Sequence, residues 1–296
     1  MGMITGRGGR DKRVPFRLAA DGWPATLQRG GAGQRLFVDN PAIITEPGAT
    51  WQQFERAMFN IHLGGTAKIT WRGRQTAADQ LLLDHVPLDG ARIVEMGASD
   101  GSTAVDLIGR LGDRFASYLI TDRFVRIEAV KYGGWTILFR DGLGVVVAGR
   151  RVVAWPQMAS WMAKALAPIL AAAARRPRTE ILMLNPDARA ILDRDPRVTW
   201  AEHDVFVPLA EPVDVIKVGN LLRPVYFTDD QIRVALRAIH ASLAESGHLL
   251  VADHLRESAG SLFRRTENGF ESVALTEPRS EIHDLVVQPG LIGDPV

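Results

Sequence analysis

The sequence predicts an α/β protein, a doubly wound and mostly parallel sheet with an antiparallel edge near its C-terminal end. Three observations predict it. In Ala91–Asp106 a short apolar run, Ile93 to Met96 broken only by Glu95, leads into Gly97 and Gly101, and apolar residues return at helical spacing at Val105, Ile108 and Leu111. That is a buried strand, a tight glycine turn and a helix start, the opening unit of a nucleotide-binding sheet. Further apolar runs follow that end in an acid or amide: Ser117–Asp122, Val198–Asp204, Val213–Asn220 and Leu249–Asp253. Helical stretches separate them, as crossovers between parallel strands require.

Composition sets the outer bounds. The chain has 296 residues, 46% apolar and 23% charged, room for one large α/β domain with additions or two small ones. A formal charge of +1 gives no global basic field for nucleic acid. The absence of cysteine excludes disulfides, thiolate zinc sites and cysteine nucleophiles, and fits a reducing, cytoplasmic setting. No apolar run is long enough to span a bilayer, no secretory segment follows the first residues, and no membrane partner is expected. The start also lacks the hydroxyl residue of a myristoylation signal.

Residues 1–87 read as a basic leader followed by a helical cover. Arg7, Arg10, Lys12, Arg13 and Arg17 crowd the leader among glycines. Trp51, Phe54, Met58 and Phe59 share one face of a first helix, and a second is predicted over Thr76–His85, ahead of Val86-Pro87. His62 and Trp71 stand where they could line a pocket.

The domain proper, 88–296, starts at the glycine turn. After Asp122-Arg123 an insertion over 124–178 interrupts the alternation. Trp135–Phe139, the turn Arg140–Gly144 with its Asp-Gly pair, and the valine-rich Val145–Trp155 predict a hairpin. A helix from Gln157 to Ala174 follows, with Met158, Trp161, Met162, Ala165, Leu166, Ile169 and Leu170 on one face and Pro168 as a kink or break. Such a hairpin and helix is expected to be dispensable for the sheet, and to serve as a lid or as the surface of a homodimer. The sheet is expected to resume at Glu180–Leu184, with Asn185 capping a short helix that carries Pro186 in its first turn. Thr228 caps a helix carrying Ile232, Leu236, Ile239 and Leu243. Ser261–Arg265 and Phe270–Ala274 flank an Asn-Gly turn, and Glu281–Val287 reads as a last strand.

The turn is neither the G-x-G-x-x-G dinucleotide fingerprint nor a Walker A loop, which needs a Lys before its hydroxyl residue. With Glu95 ahead of Gly97, Ser99 and Gly101, it resembles motif I of class I S-adenosylmethionine-dependent methyltransferases, and the resemblance covers about residues 88–288. It implies a Rossmann-like fold and S-adenosylmethionine as cofactor. Glu95 suits a cationic methionine amine and sulfonium and would repel a diphosphate. Asp122, at the second strand's end, is placed to accept both ribose hydroxyls. By the same resemblance Asp204 meets the adenine amino group, with Val205 and Phe206 near the ring. The cofactor is therefore expected to meet Glu95, Gly97, Ala98, Ser99 and Gly101, then Asp122 and Arg123, Asp204 and Val205, and Asn220 and Leu221. The run Asn220–Phe227 is similar to chemotaxis-receptor glutamate methyltransferases, although Gly219 and Arg223-Pro224 depart from them.

These features lead to a methyltransferase acting on a small molecule, with oxygen the expected acceptor atom. The alternatives are a non-catalytic S-adenosylmethionine-binding protein or a protein-carboxylate methyltransferase. A nicotinamide-dependent oxidoreductase is disfavoured by Glu95 and the missing third glycine. Asn220-Leu-Leu-Arg-Pro224 breaks the signature of enzymes that methylate base amines, so nucleic acid is not expected as the acceptor. No metal site is expected, since Asp204 is taken by the adenine and leaves only Asn220 and Asp253. For acid–base work the candidates are His254 and Tyr226, His254 having its ordinary pKa near neutrality.

Overall fold

A computed structural model describes residues 15–20, 36–37, 39–63, 66–68, 70–254 and 257–291. Most of the basic leader (1–14) and Gly64-Gly65 lie outside the described residues. The chain divides into two compact units, one built from Trp71–Arg123 and Asp187–Val296, the other from Arg10–Thr70 and Phe124–Pro186. The division falls elsewhere than the expected boundary at residue 87. The N-terminal segment up to Thr70 and the insertion together make one unit, and the helix Thr76–His85 belongs to the other.

In chain order, strands β1 (Phe16–Ala19) and β2 (Leu36–Phe37) precede a short 3-10 turn, Pro41–Thr45. Helix α1 (Trp51–Met58) starts at a capping box, in which Thr50 accepts from the Gln53 amide and the Gln53 side chain accepts from the Thr50 N–H. After the short strands β3 (His62–Leu63) and β4 (Thr66–Ala67) come α2 (Thr76–His85), β5 (Ala91–Met96), α3 (Ser102–Leu111) and β6 (Phe115–Asp122). Then follow β7 (Arg126–Tyr132), β8 (Trp135–Arg140), β9 (Leu143–Ala148), β10 (Val152–Ala154), α4 (Ser160–Ala174) and β11 (Thr179–Leu182). The chain continues through α5 (Pro186–Arg194), β12 (Val198–Glu202), β13 (Val213–Gly219) and α6 (Asp229–Ser242), and ends with β14 (Leu243–His254), β15 (Ser258–Thr266), β16 (Gly269–Leu275) and α7 (His283–Val286).

The first unit has the doubly wound, Rossmann-like sheet, in the order β12-β6-β5-β13-β14-β15-β16. Its first five strands are parallel, and β15 and β16 add an antiparallel meander. The order reverses between β5 and β13, the place where open α/β sheets leave a crevice at the strands' carboxyl ends. Its core runs from Val94 and Met96 through Ile216 and Val218 to Leu236, Ile239, Leu249 and Phe263. Thr228 caps α6 as expected, with Gln231 completing the box.

One expectation fails here. Glu281–Val287 is not a strand, because Ile282 and Val286 turn into the core together from the helical turn α7. Ser280 Oγ accepts from Ile282 N at 3.3 Å and Asp253 Oδ2 from Glu281 N at 3.0 Å, which starts that turn. An i, i+4 apolar pair fits a helical turn as well as a buried strand.

The second unit holds a seven-stranded sheet, β11-β7-β8-β9-β10-β1-β2, antiparallel except between β1 and β2. The strands alternate as a two-sided sheet must. Ile127, Leu138, Val146 and Val153 join Phe54, Met58, Ile61 and Trp155 in one core, and Val130, Ile137, Phe139 and Val147 meet Leu166, Leu170 and Ala173 of α4 in another. Asp141 and Gly142 turn the β8–β9 hairpin with φ of 51° and 78°, the mirror-image turn that an Asp-Gly pair favours. Strand β11 pairs with β7, so the segment 180–184 belongs to this sheet and does not resume the parallel one. Pro168 lies inside α4 without splitting it, and Trp161, expected on the buried face, is 55% exposed.

Candidate functional site

The carboxyl ends of β5, β6, β12, β13 and β14 gather most of the residues singled out by sequence. Gly97, Ser99 and Gly101 all take positive φ (75°, 58° and 80°), so the loop doubles back tightly before α3. Gly97 is required twice over. A Cβ there would strain the backbone and would stand 2.9 Å from Leu221 Cδ2. Asp122, 7% exposed at the end of β6, accepts from Ser99 N at 2.9 Å and ties the loop to the second strand. Ala98 donates its N–H to Thr121 O at 2.9 Å.

Asp204 follows β12. Its Oδ1 accepts from Phe206 N at 3.2 Å and its Oδ2 stands 3.7 Å from the Arg123 guanidinium. His203 N donates to Asp122 O, which brings Asp122, Arg123 and Asp204 to one rim. Val205 is buried in the core, and Phe206 packs edge-on against Phe227 with ring centroids 5.4 Å apart.

Asn220 ends β13 with a φ of 51°, unusual for a residue with a Cβ. Its Oδ1 accepts from His254 N at 2.8 Å, which joins the ends of β13 and β14. His254 Nδ1 and Asn220 Nδ2 are buried without a protein partner. Asp253 is 1% exposed, and burial raises its pKa against the pull of its bond from Glu281 N and of nearby Arg223. Arg223 Nε donates to Glu281 Oε2 at 2.6 Å. Tyr226 sits in the turn that Arg223 O anchors by accepting from Tyr226 N.

Glu95 does not behave as expected. Register sets it opposite Lys217 across β5 and β13, and it is 1% exposed. Its oxygens accept from Thr103 Oγ1 and Tyr118 OH at 2.5 Å each, and Oε2 lies 3.7 Å from Lys217 Nζ. Lys217 in turn is paired with Asp79 of α2 at 2.8 Å. The carboxylate is an internal charge partner beneath the loop and presents no open anionic face. Burial raises the pKa of Asp79 against the opposing pull of Lys217, and burial followed by Glu95 pushes the Tyr118 phenol well up.

Four residues that matter here were not singled out by sequence. Asp100, fully buried, accepts from Ser102 N, the first N–H of α3, at 2.9 Å, one residue ahead of the N-cap Gly101. Lys217 signalled itself only as a cation inside an otherwise apolar strand, and Asp79 as its complement on an apolar helix face. Gln75, 3% exposed, lies over Gly219, where any Cβ would collide with its amide. Among the described residues no three His, Cys, Asp or Glu side chains are grouped to hold a metal ion, and no helix is long and apolar enough to cross a membrane.

No family model matches the chain. No curated protein matches it either. Solved structures with similarity include the N-methyltransferase NodS from Bradyrhizobium japonicum WM9 in complex with S-adenosyl-L-homocysteine, at 14% identity over 61% of this chain and 62% of that one, with a TM-score of 0.32. An O-methyltransferase family protein from Burkholderia thailandensis aligns at 12% identity over 71% and 42%, TM-score 0.33. An amino pentose methyltransferase from Micromonospora echinaspora with S-adenosylmethionine bound aligns at 16% identity over 66% and 64%, TM-score 0.29. The chain spans less than two thirds of the length of each of these. At such low TM-scores the fold assignment rests on the chain's own strand order.

Proposed function

We propose that the first unit binds S-adenosylmethionine at the β5–β13 switch point and transfers its methyl group to a small-molecule oxygen. The carrying observation is Asp100. The N-terminus of α3, where a diphosphate would ordinarily be held by backbone N–H groups, has its first N–H taken by the chain's own buried carboxylate. With Asp122 beside it, this end of the sheet attracts a cationic ligand and repels a doubly anionic one.

The residues present fit the cofactor. Ser99 Oγ is buried and has no protein partner, and the Asp122 carboxylate, tied to Ser99 N, stands at the end of β6 beside the loop. Asp204 and Arg123 close the adenine side of this reading, and Leu221 packs against the loop. The cofactor supplies an activated methyl on a sulfonium with a neutral leaving group. The protein then has mainly to align the acceptor, and positioning alone is worth roughly 7–11 kcal/mol of barrier. At the ends of β13 and β14, His254 Nδ1 stands ready to take a hydroxyl proton, with Tyr226 in the adjoining loop.

Calorimetric titration tests the reading. S-adenosylhomocysteine should bind and NAD should not, and Asp122→Ala should weaken binding by about 1.5–3 kcal/mol. NAD binding by the unmodified protein, or unchanged affinity in the variant, would sink it. A labelled-methyl assay over metabolite pools separates an enzyme from a non-catalytic binder. Base-labile label on protein would favour instead the carboxylate acceptor suggested by Asn220–Phe227.

A further inference from the structure

The acceptor's chemistry can be read from the polar atoms that the fold buries and leaves unanswered around Asn220. Gln75 is the N-cap of α2 and its carbonyl accepts from Asp79 N one turn on, and Lys217 and Gly219 are two apart on β13 and share a face. The two pairs are matched. Asp79 reaches Lys217 at 2.8 Å, and Gln75 lies over Gly219. The buried ion pair therefore fixes the rotation of α2 and lays the Gln75 amide across the end of β13.

Gln75 Oε1, Asn220 Nδ2 and His254 Nδ1 are each buried without a hydrogen-bond partner, and the residues that carry them adjoin one another. Gln75 covers Gly219, Asn220 is the next residue, and the Asn220 side chain holds His254 N. Three buried polar atoms left open at one spot are costly in an empty protein unless a ligand answers them. Of the charges nearby, Arg223 is met by Glu281 and Asp253 by the Glu281 N–H, while the Arg74 guanidinium lies 4.4 Å above the Trp71 ring and burial lowers its pKa. Trp71 and His254 meet edge-on at 5.0 Å and give the spot a planar aromatic corner.

We propose, building on the methyltransferase reading, that Gln75, Asn220 and His254 form the acceptor subsite and that it takes a neutral planar ring bearing a hydroxyl beside a carboxamide or similar carbonyl. Asn220 Nδ2 donates to the carbonyl, Gln75 answers the amide N–H, and the hydroxyl hydrogen points to His254 Nδ1. In the transfer the hydroxyl oxygen forms the new bond to the methyl carbon as the carbon–sulfur bond breaks. The sulfonium recovers its electron pair as a neutral thioether, and the hydroxyl proton passes to His254.

The test titrates three probes into the full chain saturated with S-adenosylhomocysteine: 2-hydroxybenzamide, 2-hydroxybenzoate and benzamide. The first should bind at least tenfold tighter than either of the others. Gln75→Met, checked for native thermal unfolding, should lose about tenfold for 2-hydroxybenzamide while its affinity for S-adenosylhomocysteine stays unchanged. Tighter binding of the anionic benzoate, or no binding of 2-hydroxybenzamide to a protein that does bind S-adenosylhomocysteine, overturns the subsite and leaves the cofactor reading standing. If Gln75→Met does not fold, the comparison of the three probes on the unmodified protein decides alone. Failure of S-adenosylhomocysteine itself to bind overturns the cofactor reading and this inference with it.

Discussion

The two units bury very different things. The unit with the antiparallel sheet fills its interior with Phe54, Met58, Leu138, Val146 and Trp155, and its buried polar groups are mostly structural ties, such as Trp155 Nε1 donating to Asn60 O at 2.9 Å. The unit with the parallel sheet also has an apolar core, but it buries Asp79, Glu95, Asp100, Asp122, Asp253 and Lys217 near the carboxyl ends of its strands. A charge taken out of water is expensive unless paired and hydrogen-bonded, and replacing such a pair by apolar residues often stabilises a protein. The difference teaches where selection for stability alone stops accounting for the molecule. The antiparallel unit can be explained by packing, whereas the parallel unit carries a cost that only a ligand or a required geometry accounts for.

That contrast can be broken from either side. Deleting 124–178 should have the largest effect. It removes the strands that share a core with α1, so Phe54, Met58 and Ile61 become exposed and the variant should bind a hydrophobic dye while retaining S-adenosylhomocysteine binding. A deletion variant that binds no dye would mean that the apolar face of α1 does not depend on the insertion for its cover. Next, Lys217→Ala leaves Asp79 and Glu95 without their shared cation and should cost about 3–5 kcal/mol in denaturant unfolding. The double change Asp79→Leu with Lys217→Met should recover part of that loss, Glu95 still lacking its cation, but not the acceptor affinity, since the pair that sets the position of Gln75 is gone. Full recovery of both would show that the charges position nothing. A smaller effect is expected in the other unit, where Trp155→Phe strands the Asn60 carbonyl at a cost of roughly 1–3 kcal/mol with no effect on S-adenosylhomocysteine binding.

The smallest effect is that of pH. Burial lowers the pKa of His203, His240, His248 and His283, all four in the parallel unit. The unfolded chain then binds more protons than the folded one, so the stability these groups contribute is full above about pH 6.5 and is lost as pH falls through the unfolded value. Raised values at Asp79 and Asp253 act with the opposite sign, but start from the lower carboxylate range. Melting temperature should fall from pH 7.5 to 5.5, and a rise over that window would mean that those imidazoles are not held neutral.

Much of the parallel unit was legible because its signals are local. A glycine turn after an apolar run, Thr228 three residues before Gln231, and acids closing successive strands are read within a few residues of one another. The antiparallel sheet was not legible. Phe16–Leu18 pair with Val152–Ala154, a partnership no window of sequence contains. Only the turn chemistry of its hairpin could be seen, at Asp141-Gly142. Position along the chain was enough to place Asp122, Asp204 and Asn220 at strand ends, but not to give the direction of Glu95. Whether a strand residue faces a pocket or a neighbour depends on register, and here the register places it against Lys217. Gln75 was invisible for a related reason, since the rotation of α2 is set by an ion pair formed across the fold.

The interleaving of the two units bears on how the chain is made. A ribosome releases α1 well before β7 to β10, and between them it releases β5 and β6, which belong to the other unit. The apolar face of α1 must therefore wait, and β5 and β6 must wait in turn for β13, whose register with β5 begins at Val215 against Ile93. The antiparallel unit is complete at Pro186, before 187–296 of the parallel unit exist, and the parallel unit closes only after the antiparallel one has been released. Long loops have to be ordered before their contacts form, so folding should be slow and largely post-translational, with a nascent intermediate that draws on chaperones.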